Sequence, residues 1–178
     1  MSAPIRFKEA TGVFGELSNF RVFTKPLVHE GKSYASSEHL YQCAKYAYEG
    51  ASEASLAYAE EIRCASTPYK AKILAAQRVT VRYEWQEPLA ASIARSLAAG
   101  VAPRQDWELV KLREMERCVT LKFRRSATYR AVLLSTGESP IEELNPFDEF
   151  WATGRTGTGR NELGKLLVRL RTQLRSGL

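Results

Sequence analysis

The chain has 178 residues, 44% of them hydrophobic and 10% aromatic, enough for one well-buried core and short for two. Its aromatic content excludes disorder, and 11 glycines with 7 prolines exclude a collagen-like chain. The surplus of 26 Lys and Arg over 20 Asp and Glu, a net +6, suits an anionic partner such as phosphate, nucleotide or nucleic acid. No apolar run approaches the roughly 18–20 residues of a membrane span, and the first residues lack a signal-peptide pattern. The expectation is a cytosolic chain.

Cys43, Cys64 and Cys118 lie far apart with no Cys-x-x-Cys pair, so neither a disulfide framework nor a zinc knuckle is supported. His29 and His39 are too few for a His-based metal site or a Ser-His-Asp arrangement. Chemistry then falls to carboxylates, lysines, aromatics and backbone amides. Charge is spread evenly, and no repeat or long linker interrupts the chain. A single domain over residues 1–178 is expected.

In chain order, residues 5–7, 20–23 and 27–28 are β-prone, and His29-Glu30-Gly31-Lys32 reads as a turn. A helix capped by Ser36-Ser37 runs to about residue 48. Helices follow over about 53–65 and, opened by Thr67-Pro68, over about 69–77. Residues 79–83 read as a short strand. Pro88 starts a helix that Gly100 stops, and Asp106 caps a long one to about 125, with Trp107, Val110, Met115, Cys118, Val119 and Lys122 along one side. Residues 127–134 form a short helix and 140–144 an extended piece. After a Gly-rich loop over 145–160, Asn161 caps a last helix with Leu163, Leu166, Leu167, Leu170 and Leu174 in one stripe. The fold class is α+β: a mainly helical single domain with a small β component near the N-terminus.

Glu38, Tyr41, Gln42 and Lys45 stand at i, i+3, i+4 and i+7 and share one helix face. A carboxylate, a phenol, an amide and an ammonium in one stripe supply acid–base and hydrogen-bonding groups; the competing reading is a solvated face. The loop Gly154-Arg155-Thr156-Gly157-Thr158-Gly159-Arg160, just ahead of Asn161, would let amides and a helix N-terminus meet a phosphate, with Arg155 and Arg160 clamping it. It is neither a Walker A loop nor Gly-x-Gly-x-x-Gly after a strand, and a plain connection fits equally well. Asp148 and Trp151 precede it on irregular chain, where ligand-binding residues are often presented. Ser18-Asn19-Phe20 reads as a turn entering a strand or as a ligand hold. Trp107 reads as core before any other information, and Lys122-Phe123-Arg124-Arg125 as a helix end complementing its dipole.

Taken together, Ser18-Asn19-Phe20, Gly31-Lys32-Ser33-Tyr34, Ser37-Glu38-His39-Leu40-Tyr41-Gln42-x-x-Lys45, Trp107, Lys122-Phe123, Asp148-x-x-Trp151-x-x-Gly154 and Gly159-x-Asn161-x-Leu163-Gly164-Lys165-Leu166-Leu167 resemble the NADAR family, and in particular its YbiA-like N-glycosidase type. The resemblance implies hydrolysis of an N-glycosidic bond of a phosphorylated ribosyl compound. The substrates implied are ribosylamino-pyrimidine phosphates of early riboflavin biosynthesis or, alternatively, ADP-ribose on guanine in nucleic acid. A module that binds ADP-ribose or a NAD derivative without hydrolysis is a further alternative. Departures from the family pattern are Ala152 where glycine is usual, Val168 where methionine is common, and a longer stretch over 79–102.

The resemblance assigns Glu38, Asp148, Trp107 and Trp151 to the catalytic set, and Lys45 joins them as a candidate. Rupture of a ribosyl C1′–N bond passes through an oxocarbenium-like state, so Glu38 would serve the ribose and water and Asp148 would orient base or ribose hydroxyls, or the two would act in the reverse roles. Trp107 and Trp151 would stack on the base. Lys45 or Lys32 would meet phosphate or form a Schiff base with the opened sugar. Asn19, Phe20, Lys32, Tyr41, Gln42, Gly154, Arg155, Gly159 and Asn161 complete the expected substrate-binding set. No metal and no cofactor are expected, and the partner is a small phosphorylated ribosyl substrate or ADP-ribosylated guanine.

Overall fold

Four short strands and seven α-helices are found among residues 3–177, the part of the chain described by the computed structural model. The strands are β1 (Ile5–Phe7), β2 (Leu27–His29), β3 (Lys32–Tyr34) and β4 (Ile141–Glu143). The helices are α1 (Ser37–Cys43), α2 (Glu53–Arg63), α3 (Pro68–Ala76), α4 (Glu87–Ala98), α5 (Trp107–Arg125), α6 (Ala127–Ser135) and α7 (Glu162–Arg175). The α+β class with dominant helices holds. Contacts gather the chain into two units, one of residues 3–21 and 115–177 and one of Val22–Glu114, with the boundary inside α5.

In the first unit β1 pairs in parallel with β4, Ile5 opposite Ile141 and Phe7 opposite Glu143. Helix α7 lies on β4. A Cβ at Gly164 would stand 2.1 Å from the Ile141 carbonyl oxygen, so only glycine lets helix and strand approach this closely. The leucine stripe does what its spacing predicts: Leu163, Leu166, Leu167 and Leu170 are buried, as are Phe7, Phe123, Leu133 and Ile141 of the same unit, each such side chain contributing about 1.5–3 kcal/mol. Asn161 departs from expectation. It occupies the position before α7 in a left-handed conformation (φ 49°) and makes no side-chain cap. Its amide nitrogen donates to the Ile141 carbonyl (2.8 Å) and its oxygen accepts from Glu143 N–H (3.1 Å). The side chain secures β4 in place of capping the helix.

In the second unit β2 and β3 form an antiparallel hairpin. Glu30 and Gly31 both adopt positive φ, 49° and 73°, as a two-residue loop matched to strand twist requires. The expected caps at Ser36 and Thr67 accept from His39 N–H and Lys70 N–H, and Ser52 caps α2 in the same way through Ser55 N–H. Helices α1, α2 and α3 pack together, with α4 against α3. Tyr46 and Tyr58 meet edge to face at 5.1 Å and donate to the Ala75 and Leu74 carbonyls; burial raises both phenols, Tyr58 to about 12.

Three expected elements differ. Helix α1 stops at Cys43 rather than near 48, because the chain tightens into i to i+3 turns and the Lys45 carbonyl accepts from Arg104 N–H at 2.8 Å. Residues 20–23 are irregular, although Phe23 N–H reaches the Ala35 carbonyl (2.8 Å). Residues 79–83 form no strand and lead instead into a 3-10 turn, Glu84–Gln86, ahead of α4.

Candidate active site

Every residue of α1 is buried. Glu38 is 5% exposed and Gln42 4%, which overturns the solvated-face reading of this stripe. A carboxylate and an amide leave water only if their polar atoms find partners. Gln42 Nε2 donates to Glu38 Oε1 at 2.6 Å, a charge-assisted bond between side chains one helical turn apart. Gln42 Oε1 is buried with no hydrogen-bond donor, an acceptor directed at something the protein does not supply.

Tyr41 and Lys45 hold Trp107. The Tyr41 and Trp107 ring centroids are 5.1 Å apart at 53°, and Lys45 Nζ lies 5.4 Å from the Trp107 ring. Trp107 is half-buried, so it is neither the core residue its helix start suggests nor a free surface ring. Burial depresses the Lys45 pKa, with Lys72 adding to the effect and Glu38 and Glu108 opposing it. Lys45 therefore releases its proton more readily than a solvated lysine. Next to Glu38, His39 is fully buried, with Nδ1 2.8 Å from the Ser36 hydroxyl and Nε2 3.0 Å from the Ala65 carbonyl. Desolvation lowers its pKa. His39 pins α1 to the end of α2 and is bound on both ring nitrogens.

Lys32 does not join this group. It sits exposed on β3, 3.2 Å from Glu60, whose carboxyl is pulled down to about 2, chiefly by the Arg63 hydrogen bond.

The other expected residues lie in the first unit. Asn19 is buried, its Nδ2 2.9 Å from the Met115 sulfur, while its Oδ1 has no donor. Phe20 is half-buried, and its N–H donates to the Ser18 hydroxyl (3.2 Å). Beneath this turn stands Lys122, 1% exposed, donating from Nζ to the Ser18 carbonyl at 2.8 Å. Its ammonium is 5.0 and 5.4 Å from the Phe123 and Tyr129 rings, and burial draws its pKa down to about 7. In sequence, Lys122-Phe123-Arg124-Arg125 reads as a helix end complementing its dipole, whereas the structure buries Lys122. The signal for its burial was its register with Met115, Cys118 and Val119, since a lysine in an apolar stripe faces the core.

Asp148 Oδ1 accepts from the Phe150 and Trp151 amides at 3.1 and 2.7 Å, a local turn that sets the Trp151 backbone. Ala152 is fully buried and lacks the positive φ that would require glycine; Gly154 (φ 69°) takes that conformation. The expected anion cradle is corrected at its amides. The N–H groups of Gly159, Arg160, Asn161, Glu162 and Leu163 donate to the carbonyls of Thr153, Glu149, Ala152, Phe150 and Trp151, at 2.7–3.1 Å. A Cβ at Gly159 would stand 2.6 Å from the Ala152 oxygen, so this glycine serves close packing of the loop on itself. Arg160 lies over the Phe150 ring (4.6 Å) and bonds Glu162 (3.2 Å). Arg155 is exposed. Among the described residues no three His, Cys, Asp or Glu side chains converge as a metal site would need, and no helix is long and apolar enough to cross a membrane.

Comparison with known proteins gives a match to the NADAR domain family over residues 6–175. The Escherichia coli protein named N-glycosidase YbiA is 32% identical over 170 residues, covering 96% of this chain and 88% of that protein. The chloroplastic riboflavin biosynthesis protein PYRR of Zea mays is 31% identical, covering 96% of this chain and 25% of the maize protein. The NMR structure of E. coli YbiA superposes with a TM-score of 0.68 at 27% identity, over 99% of this chain and 89% of that one.

Proposed function

Because the chain belongs to the NADAR family, we propose that it is an N-glycosidase acting on a phosphorylated ribosyl compound, with ribosylamino-pyrimidine phosphates of riboflavin biosynthesis as the substrate class. The observation that carries this reading is the buried Glu38–Gln42 pair with its unmatched acceptor. A ribose hydroxyl or the attacking water is a donor of the kind that Gln42 Oε1 lacks, and Glu38 beside it stabilises positive charge developing at C1′.

The step needs three things. As the C1′–N bond breaks, the leaving nitrogen keeps the electron pair and must be protonated; Lys45, its ammonium made more acidic by burial, is the donor we assign. Water then gives its oxygen to C1′ and its proton to Glu38. Trp107, braced by Tyr41 and Lys45, walls off the base and excludes bulk water. In the other unit, Asp148 is assigned to setting the Trp151 backbone, through the bonds its Oδ1 accepts from the Phe150 and Trp151 amides.

Glu38→Gln is expected to abolish base release while leaving the thermal midpoint within a few degrees. Wild-type turnover by that variant would falsify the assignment. Assaying base release from the ribosylamino-pyrimidine phosphate beside ADP-ribose release from modified guanine in DNA identifies the substrate. A second reading, in which Lys45 forms a Schiff base with the opened sugar, is favoured by its depressed pKa. Borohydride should then trap an adduct that disappears in Lys45→Ala; an adduct that persists in that variant, or none at all, excludes it.

A further inference from the structure

A cleft of about 270 Å³ lies wholly within Val22–Glu114, and none of Glu38, Gln42, Lys45 or Trp107 lines it. Its apolar lining includes Leu74, Leu89 and Trp85, and its cations are Lys70 and Arg95. Of the four large aromatic side chains exposed among the described residues, three come from this stretch: Tyr69 (56%), Tyr83 (64%) and Trp85 (41%). Exposed aromatics gathered in one segment mark a binding surface more often than scattered ones do.

The chemistry around Trp85 is specific. Its ring centroid is 6.5 Å from that of Tyr69. That separation leaves no room for a third ring between them, so a ligand ring stacks on the open part of Trp85. Lys70 Nζ lies 5.7 Å from the Trp85 ring and 3.1 Å from the Ser66 hydroxyl, with no carboxylate paired to it among the described residues. Glu61, the one carboxylate lining the cleft, is bound by the Ser92 hydroxyl and by Arg95 at 3.6 Å. An unpaired ammonium beside an open indole matches a ligand that joins a flat ring to an anion.

We propose that this cleft binds a nucleotide unit, with the base stacked on Trp85 and the phosphate held by Lys70 and Arg95. A free mononucleotide and one unit of a single strand present the same chemistry, since stacking on an aromatic platform tolerates any base. The site does not depend on the reading of Glu38.

Calorimetric titration of the full chain with AMP, adenosine, inorganic phosphate and a short oligothymidylate tests it. AMP or the oligonucleotide should bind more tightly than adenosine or phosphate alone. Trp85→Ala and Lys70→Ala should each weaken binding at least about fivefold, and Trp85→Phe should restore most of the loss. Preference for AMP identifies a free nucleotide. Preference for the oligonucleotide, falling steeply with salt, identifies a strand. Binding of neither, or binding that survives both Trp85→Ala and Lys70→Ala, overturns the proposal.

Discussion

In helix α1 the polar side chains are buried and Gln42 Oε1 has no donor, whereas ahead of α7 every amide from 159 to 163 already meets a carbonyl. Both segments carry the residue types of a ligand site. In the first a buried acceptor is unmet, and unmet capacity inside a protein costs about 1–3 kcal/mol per group. Such a cost persists where a ligand relieves it. The amides of residues 159 to 163, bound to carbonyls of residues 149–153, stabilise the fold around Trp151 and are not offered to an anion.

This contrast can be broken by substitution. The largest effect belongs to Glu38→Gln, with base release falling about 10²–10⁴-fold in a steady-state assay. Gln42→Leu comes next. Removal of a bond to a charged partner, worth about 1.5–3 kcal/mol, should lower kcat/KM about 10–100-fold, and an unchanged rate would mean that the pair only fills space.

Lys122 extends the contrast to stability. Its pKa is about 7 in the fold against an ordinary 10.5. Because the folded value is depressed, the cost of burying the ammonium is fully present below about pH 7. That cost is relieved as pH rises toward 10.5, where the unfolded chain also loses the proton. Urea unfolding at pH 7 and pH 9 should show a gain of about 2 kcal/mol from this residue, and Lys122→Met should remove the gain.

In the glycine loop, Gly159→Ala should cost about 1–3 kcal/mol through the clash with the Ala152 carbonyl, read as a lower thermal midpoint. The smallest effect belongs to Arg155→Ala. With the amides of residues 159–163 already occupied, KM should rise less than about tenfold, as for one exposed charge. A larger rise would restore the loop as the phosphate site.

Much was legible in the sequence because it rests on local periodicity and local hydrogen bonding. The caps at Ser36 and Thr67, the Glu30-Gly31 turn, the leucine stripe of α7 and the shared face of Glu38, Tyr41, Gln42 and Lys45 all follow from spacing. Tertiary structure decided what spacing does not encode: which polar groups lose water and which find partners. It ended α1 early through Arg104, turned Asn161 from a cap into a tie to β4, and buried Lys122. It also closed the loop amides on carbonyls of residues 149–153. Those outcomes depend on groups distant along the chain, and burial, which sets their energies, is a property of the folded whole.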